Sequence, residues 1–191
     1  MTSLAAVIYD KGFRIDDFMR AVASRLQAEG FCVGGVFQEN FGDHESPCSS
    51  MTIVDLRTGE RFGISQDLGV DARSCRLDVR GLVEAGVRLD AAIEAGADLL
   101  VINKFGVGEA EGGGGLRSTF AAAIDSGVPV LTAVRPPYGE AWRAFHGGLA
   151  VDLAPDLDQV LAWCRTAAKL SATNPATQRT RSLSPAGKGL E

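Results

Sequence analysis

The chain has 191 residues, 46% hydrophobic and 23% charged, and its 24 acidic against 19 basic side chains give a formal net charge of −5. That size suits one domain with a real core, and an acidic domain is a poor nucleic-acid binder. No apolar run approaches the roughly 20 residues that span a bilayer, the first residues lack signal-peptide character, and Cys32, Cys48, Cys75 and Cys164 form no C-x-x-C pair. The expectation is a cytoplasmic protein with reduced thiols and no membrane insertion.

Leu4–Tyr9 is a short apolar run fit for a buried parallel strand, and Ile15, Phe18, Met19, Val22 and Leu26 then recur at helical spacing until Gly30. A second strand is expected at Phe31–Phe37, followed by a polar loop over Gln38–Ser49. Met51–Leu56 and Arg61–Ile64 flank Thr58-Gly59, a hairpin turn signal, so a small antiparallel pair is inserted there. Leu82–Ile93 has the spacing of a helix closed by Gly96, and Asp98–Ile102 is a continuous apolar strand whose following loop ends in Gly112–Gly115. Leu116–Ile124 is helical up to Gly127, Pro129–Val134 a strand, Gly139–Phe145 a short helix, Leu149–Leu153 an edge strand and Leu157–Ala168 a last amphipathic helix. Strands alternating with helices predict an α/β domain over residues 1–170, a three-layer, mostly parallel sheet covered on both faces. Ser171–Glu191 has almost no large apolar side chain and is expected to be a disordered tail.

The first strand, loop and helix stand where a phosphate loop would read G-x-x-x-x-G-K-S/T, with backbone N–H groups around phosphate oxygens, Lys adding charge and Ser or Thr holding Mg²⁺. Here Gly12 is the only loop glycine, Asp10 takes the first glycine position, Asp16 the Lys position and Asp17 the Ser/Thr position. Two carboxylates in a first helical turn complement the helix dipole and repel an incoming triphosphate.

Taken together, VGGVFQENF at Val33–Phe41, the hairpin MTIVDLRTGERFGIS, CRLD at Cys75–Asp78, and LLVINKFGVGEAEG followed by PVLTAV resemble the THEP-type nucleoside-triphosphatases of the P-loop superfamily. More closely, they resemble an uncharacterised bacterial family that looks like a divergent branch of it and is often encoded beside molybdate-uptake genes. The resemblance spans roughly Leu4–Leu170 and implies P-loop-NTPase-like topology, a nucleotide or oxyanion as ligand, and molybdate handling. An active member of that superfamily would carry an acidic pair after strand Asp98–Ile102; Asn103 and Lys104 stand there instead, and neither anchors a hard cation as a carboxylate does. Glu109 or Glu111 on the next loop could replace the missing acid.

Ligands of doubly wound sheets bind outside the carboxyl ends of the strands. Asp10, Lys11, Gly12, Arg14, Gln38, Asn103, Lys104 and Arg135, joined by Arg117, are therefore the candidate binding residues, and their cations could make one edge of an acidic protein locally positive. The same residues could equally be loop charges of the kind that collect at strand ends. Gly112–Gly115 before Arg117 could cradle an anion or form a mobile lid. His44, Cys48, Met51 and Cys75 could form a soft-metal site, but their spacing matches no zinc pattern, and small buried thiols with a solvated loop His explain them as well. His146 fits a capping or surface role, and Trp142, Phe145 and Trp163 fit the core. Three functions remain open: a degenerate P-loop-like domain that binds a small anion with little or no NTP hydrolysis, a triphosphatase with relocated catalytic groups, and a ligand-free module that docks a protein partner. No catalytic residue and no cofactor is assignable.

Overall fold

The computed structural model describes residues 2–41, 50–63, 65–66, 76–77, 79–111 and 114–173. Five parallel strands form its centre: β1 (Leu4–Ile8), β2 (Val33–Phe41), β7 (Leu99–Phe105), β8 (Val130–Val134) and β9 (Ala150–Leu153). The hairpin β3 (Ser50–Asp55) and β4 (Arg61–Gly63) adds antiparallel to the β2 side, giving a seven-stranded sheet in the order β4-β3-β2-β7-β8-β1-β9. A separate antiparallel pair joins β5 (Ser65–Gln66) to β6 (Arg76–Leu77). The three-layer, mostly parallel architecture with a small hairpin is the one expected from the alternation of elements.

Side chains of a parallel strand alternate between two buried faces, so each strand feeds two cores. Ala5 and Val7 of β1 join Val101 of β7 and Leu131 of β8 against α1 (Ile15–Ala28) and α6 (Leu157–Ala172), including Met19, Val22, Leu26, Val160 and Trp163. Leu4 and Ala6 join Leu100 and Ile102 on the other face, against α2 (Val79–Glu94), α4 (Arg117–Asp125) and α5 (Gly139–His146). Beneath the ends of β7 and β8, Phe105, Phe120, Trp142 and Phe145 interlock with ring centroids 5.2–6.5 Å apart, the core role expected for Trp142 and Phe145.

Several boundaries differ from the sequence expectation, and the causes are tertiary. β2 does not stop at Phe37: Gln38–Phe41 continue it, because they pair with β3 in the register Gln38↔Ile53 and Glu39↔Thr52. The remainder of the expected loop, 42–49, lies outside the described residues. β7 likewise runs past Ile102, with its register to β8 shifting between Ile102 and Phe105, so Asn103 and Lys104 are strand residues rather than loop residues. A short α3 (Val107–Ala110) occupies part of the predicted loop after it. α6 extends to Ala172, with buried Ser171 Oγ donating to Gly127 O at 2.7 Å. Ser171 and Ala172 thus belong to the helix and not to the tail, whose residues from 174 onward lie outside the described ones.

Two glycines let β2 sit deep in the sheet. A Cβ on Gly34 would lie 2.6 Å from Ala92 Cβ, so its absence admits α2 against the strand. Gly35 has φ +150°, and a Cβ there would press on Val101 O and stand 2.9 Å from Leu56 Cδ1. Gly35→Ala is accordingly expected to cost about 1–3 kcal/mol, the usual range for overpacking. Gly63→Ala on the outer strand β4, where a Cβ meets nothing within 4 Å, is expected to stay within about 0.5 kcal/mol. Parallel urea melts of the two variants check both statements.

Candidate functional site

The chain leaves β1 through Tyr9, whose N–H bonds to Val134 O, then turns at Asp10, whose carbonyl accepts from Phe13 N, with Gly12 supplying φ +96°. This turn delivers Asp16 and Asp17 to the first turn of α1. There they complement the exposed N–H groups and positive end of the helix dipole.

Asp16 does not face solvent alone. Asn103 Nδ2 donates to its Oδ1 at 2.5 Å, and Lys104 Nζ lies 3.0 Å from both carboxylate oxygens. The pair is about three-quarters shielded, the Lys104 and Asp16 side chains being 27% and 29% exposed. Where a phosphate loop needs a lysine, the chain has an acid; where the strand end needs an acid, it has a lysine. The two meet with their charges interchanged, and neither is left over for a ligand.

Further positive charge lies one turn along α1. Arg20 donates to Glu39 at 2.7 Å and lies 4.4 Å over the Phe37 ring, while Arg61 of β4 donates to the second oxygen of Glu39 at 3.2 Å. Two guanidinium groups therefore share one carboxylate. Arg14 pairs with Asp17 at 2.6 Å, an exposed contact. Arg14, Arg20 and Arg61, with Asp16, Asp17 and Glu39, line a polar cleft of about 790 Å³. A second, largely apolar cavity of about 350 Å³ is lined in part by Asn103 and Lys104, and Gln38 borders both.

The structure brings some of the expected residues together and leaves others apart. Gly12, Arg14 and Gln38 line the polar cleft, and Gln38, Asn103 and Lys104 line the apolar cavity. Asp10 and Lys11 are exposed on the turn and line neither. Arg117 stands apart, donating to Glu109 O at 2.8 Å with its guanidinium 4.7 Å above the Phe145 ring. Arg135, at the end of β8, lies near Tyr9. Burial first, and Asp16 second, push the Tyr9 phenol up to about 12 against the pull of Arg135, so Tyr9 is a neutral hydroxyl at physiological pH.

Glu109 is buried and holds the loop after β7 together, its two oxygens accepting from Gly106 N at 3.0 Å and Leu116 N at 2.9 Å. Gly115, at φ +67°, packs directly on it; Gly112 and Gly113 of the glycine run lie outside the described residues. His146 Nδ1 accepts from Gly148 N and Ala150 N, the capping role expected of it. His44, Cys48 and Cys75, and the side chain of Met51, lie outside the described residues. Among the described ones no group of three or more His, Cys, Asp or Glu could hold a metal ion.

Sequence reasoning missed Arg20, Glu39 and Arg61. Arg20 was findable, since it follows Asp16 and Asp17 at helical i+4 and i+3 spacing on the same face. Glu39 was hidden by reading a strand as a loop, and Arg61 by the unknown docking of the hairpin.

A family model described as "Protein of unknown function (DUF2478)" matches residues 4–163. The chain is 40% identical over 162 residues to the molybdenum import ATP-binding protein ModC 2 of Bradyrhizobium diazoefficiens. That match covers 85% of this chain and 18% of the relative, so the chain spans under a fifth of the relative's length. The solution structure of a human cancer-related nucleoside triphosphatase aligns with a TM-score of 0.58 at 15% identity, covering 89% of this chain and 99% of that one. At that identity the likeness is one of fold, and it agrees with the P-loop-NTPase-like topology expected from the sequence.

Exchanging the charges tests the Asp16–Lys104 contact. Asp16→Lys alone sets two ammonium groups together and Lys104→Asp alone two carboxylates; each is expected to cost about 1 kcal/mol or more, several degrees in Tm at ~2–4 °C per kcal/mol for a domain of this size. The double variant Asp16→Lys with Lys104→Asp should recover more than half of the loss. Thermal melts in which the double variant is as unstable as the summed singles would show that the contact contributes nothing.

Proposed function

The chain belongs to the DUF2478 family, and on that premise we propose that it is a degenerate P-loop-like domain that binds a small anionic ligand at its strand ends, with little or no NTP hydrolysis, in molybdate handling. One observation carries the non-hydrolysing half: Asp16 engages Asn103 and Lys104 at the position where a triphosphate and its Mg²⁺ would need a lysine and a carboxylate. A triphosphate brought there finds no lysine free to offset its charge, because Lys104 is paired with Asp16, and no strand-end carboxylate to hold the cation that would accompany it. Relocated catalysis through Glu109 is disfavoured, because its carboxylate lines the apolar cavity and not the arginine-lined cleft, and it is committed to holding Gly106 and Leu116 in the loop after β7.

The binding half rests on the polar cleft. Planar guanidinium groups bind oxyanions through paired, charge-assisted hydrogen bonds. Arg20 and Arg61 hold donors beyond those that Glu39 takes, within a concave surface about 790 Å³ in size. The relative's name supports a link to molybdenum import, and a tetrahedral dianion such as molybdate fits the cleft chemically. The proposal puts this work in the cytoplasm; no described helix is long and apolar enough to cross a membrane.

Calorimetry against molybdate, tungstate, phosphate, ATP and GTP, together with phosphate release, tests the reading. At least one anion is expected to bind, more weakly as salt rises, and Arg61→Ala should weaken it roughly tenfold or more, as loss of a charge-assisted bond worth about 1.5–3 kcal/mol requires. Hydrolysis is expected to stay well below the order of 1 per second that marks an ordinary enzyme. Turnover at that rate, or no heat with any anion, overturns the proposal.

A further inference from the structure

The apolar cavity beside the polar cleft has features of a ligand pocket that no anion explains. Its walls are Val36, Ile53, Leu82, Ile102 and Leu116, from β2, β3, β7, α2 and the start of α4, and its volume of about 350 Å³ is enough for one compact ring system. A bare oxyanion gains nothing from such walls, since burial against hydrocarbon removes its hydration without replacing it.

One lining group lacks a partner. Asn103 is 5% exposed; its Nδ2 donates to Asp16, which fixes the amide orientation because only the nitrogen can donate to a carboxylate. Its Oδ1 is therefore the free end, and it is buried with no hydrogen-bond partner among the described residues. A buried carbonyl oxygen left unpaired is costly, and a ligand that donates to it removes the cost. Glu109 also lines the cavity. Each of its carboxylate oxygens accepts one backbone N–H and retains capacity for a second donor. The cavity thus presents the acceptors of Asn103 and Glu109, with the Lys104 donor beside them, between apolar walls, which suits a flat ring that carries N–H donors and an acceptor on one edge.

We infer that the two cavities form one bipartite site, in which a heteroaromatic ring with a donor edge of the guanine type occupies the apolar cavity and an attached anionic group lies among Arg14, Arg20 and Arg61. This deepens the proposed anion site and rests on it for the charged half. Continuity comes from Gln38, which borders both cavities, and from Asp16, which lines the cleft while holding Asn103 at the cavity wall. The ring sits on the α2 side of the sheet, so it does not require the phosphate loop that this chain lacks.

The test uses the full chain and three probes by calorimetry: inorganic phosphate, guanosine, and guanosine monophosphate. The expected result is that the monophosphate binds at least tenfold more tightly than phosphate. Leu82→Trp, which fills the cavity from α2, should bring the two within about twofold while leaving phosphate affinity unchanged. Should that variant fail to fold, Leu82→Phe reads the same gap with a smaller filling. Monophosphate no tighter than phosphate, or a gap that survives cavity filling, overturns the bipartite site and leaves the anion reading intact. Guanosine binding that is sensitive to Leu82→Trp with no response to either anion removes the anion half instead, and with it the coupling inferred here.

Discussion

Asp16 ties the first helix of the fold to its central strand, and the chemistry of the strand-end edge depends on that tie. At the start of α1 a carboxylate is favoured by the helix dipole whatever its function. Once it is there, the facing end of β7 must supply donors, and Asn103 and Lys104 do so. The contact satisfies helix, acid and cation together, which leaves this corner of the sheet electrically closed. An anion approaching α1 from its N-terminal end meets the two carboxylates of its first turn, Asp16 and Asp17. The positive groups that can still act are those farther along α1 and across the hairpin.

Backbone features position this arrangement. The register shift between Ile102 and Phe105 lets β7 carry Asn103 and Lys104 past the plain parallel ladder while Phe105 returns to the aromatic cluster beneath β8. The continuation of β2 through Glu39 brings a carboxylate between α1 and β4, where it aligns two guanidinium groups that would otherwise repel each other. Glu109 closes the loop after β7 from within, joining Gly106 to Leu116 and so fixing the far wall of the apolar cavity.

How much of this was legible in the sequence follows from the range of the interactions. The continuous apolar runs of Leu4–Tyr9 and Asp98–Ile102, the helical spacing of Ile15 to Leu26 and the Thr58-Gly59 turn are local signals, and the corresponding elements formed. The absence of phosphate-loop residues was also legible position by position. Gln38–Phe41 were misread as a loop because their polarity suits a half-exposed strand only when a partner such as β3 lies alongside. Lys104 was read as a candidate anion anchor because its partner is 88 residues away in sequence, and nothing local reveals that Asp16 neutralises it. Arg117 was grouped with the edge by its place after a glycine run, yet aromatic stacking and a backbone carbonyl hold it elsewhere.

The charge pattern of the cleft bears on the size of anion it suits. Asp16 with Lys104 and Asp17 with Arg14 are each balanced one against one, whereas Glu39 answers both Arg20 and Arg61, so the ion-pair network carries an excess of one positive charge once Lys104, which stands beside the cleft, is counted with the groups that line it. A triphosphate carries several negative charges and ordinarily depends on a lysine, a divalent cation and a run of backbone N–H groups to offset them. Here the lysine is neutralised, the strand end offers no carboxylate to hold a cation, and Gly12 is the only glycine in the turn before α1. A compact anion of one or two charges needs less: two guanidinium planes already aligned by a shared carboxylate lose little side-chain freedom on binding it. On the proposed reading, preference for a small anion over a nucleoside triphosphate would follow from the same interchange of Asp16 and Lys104 that stands in place of the phosphate loop.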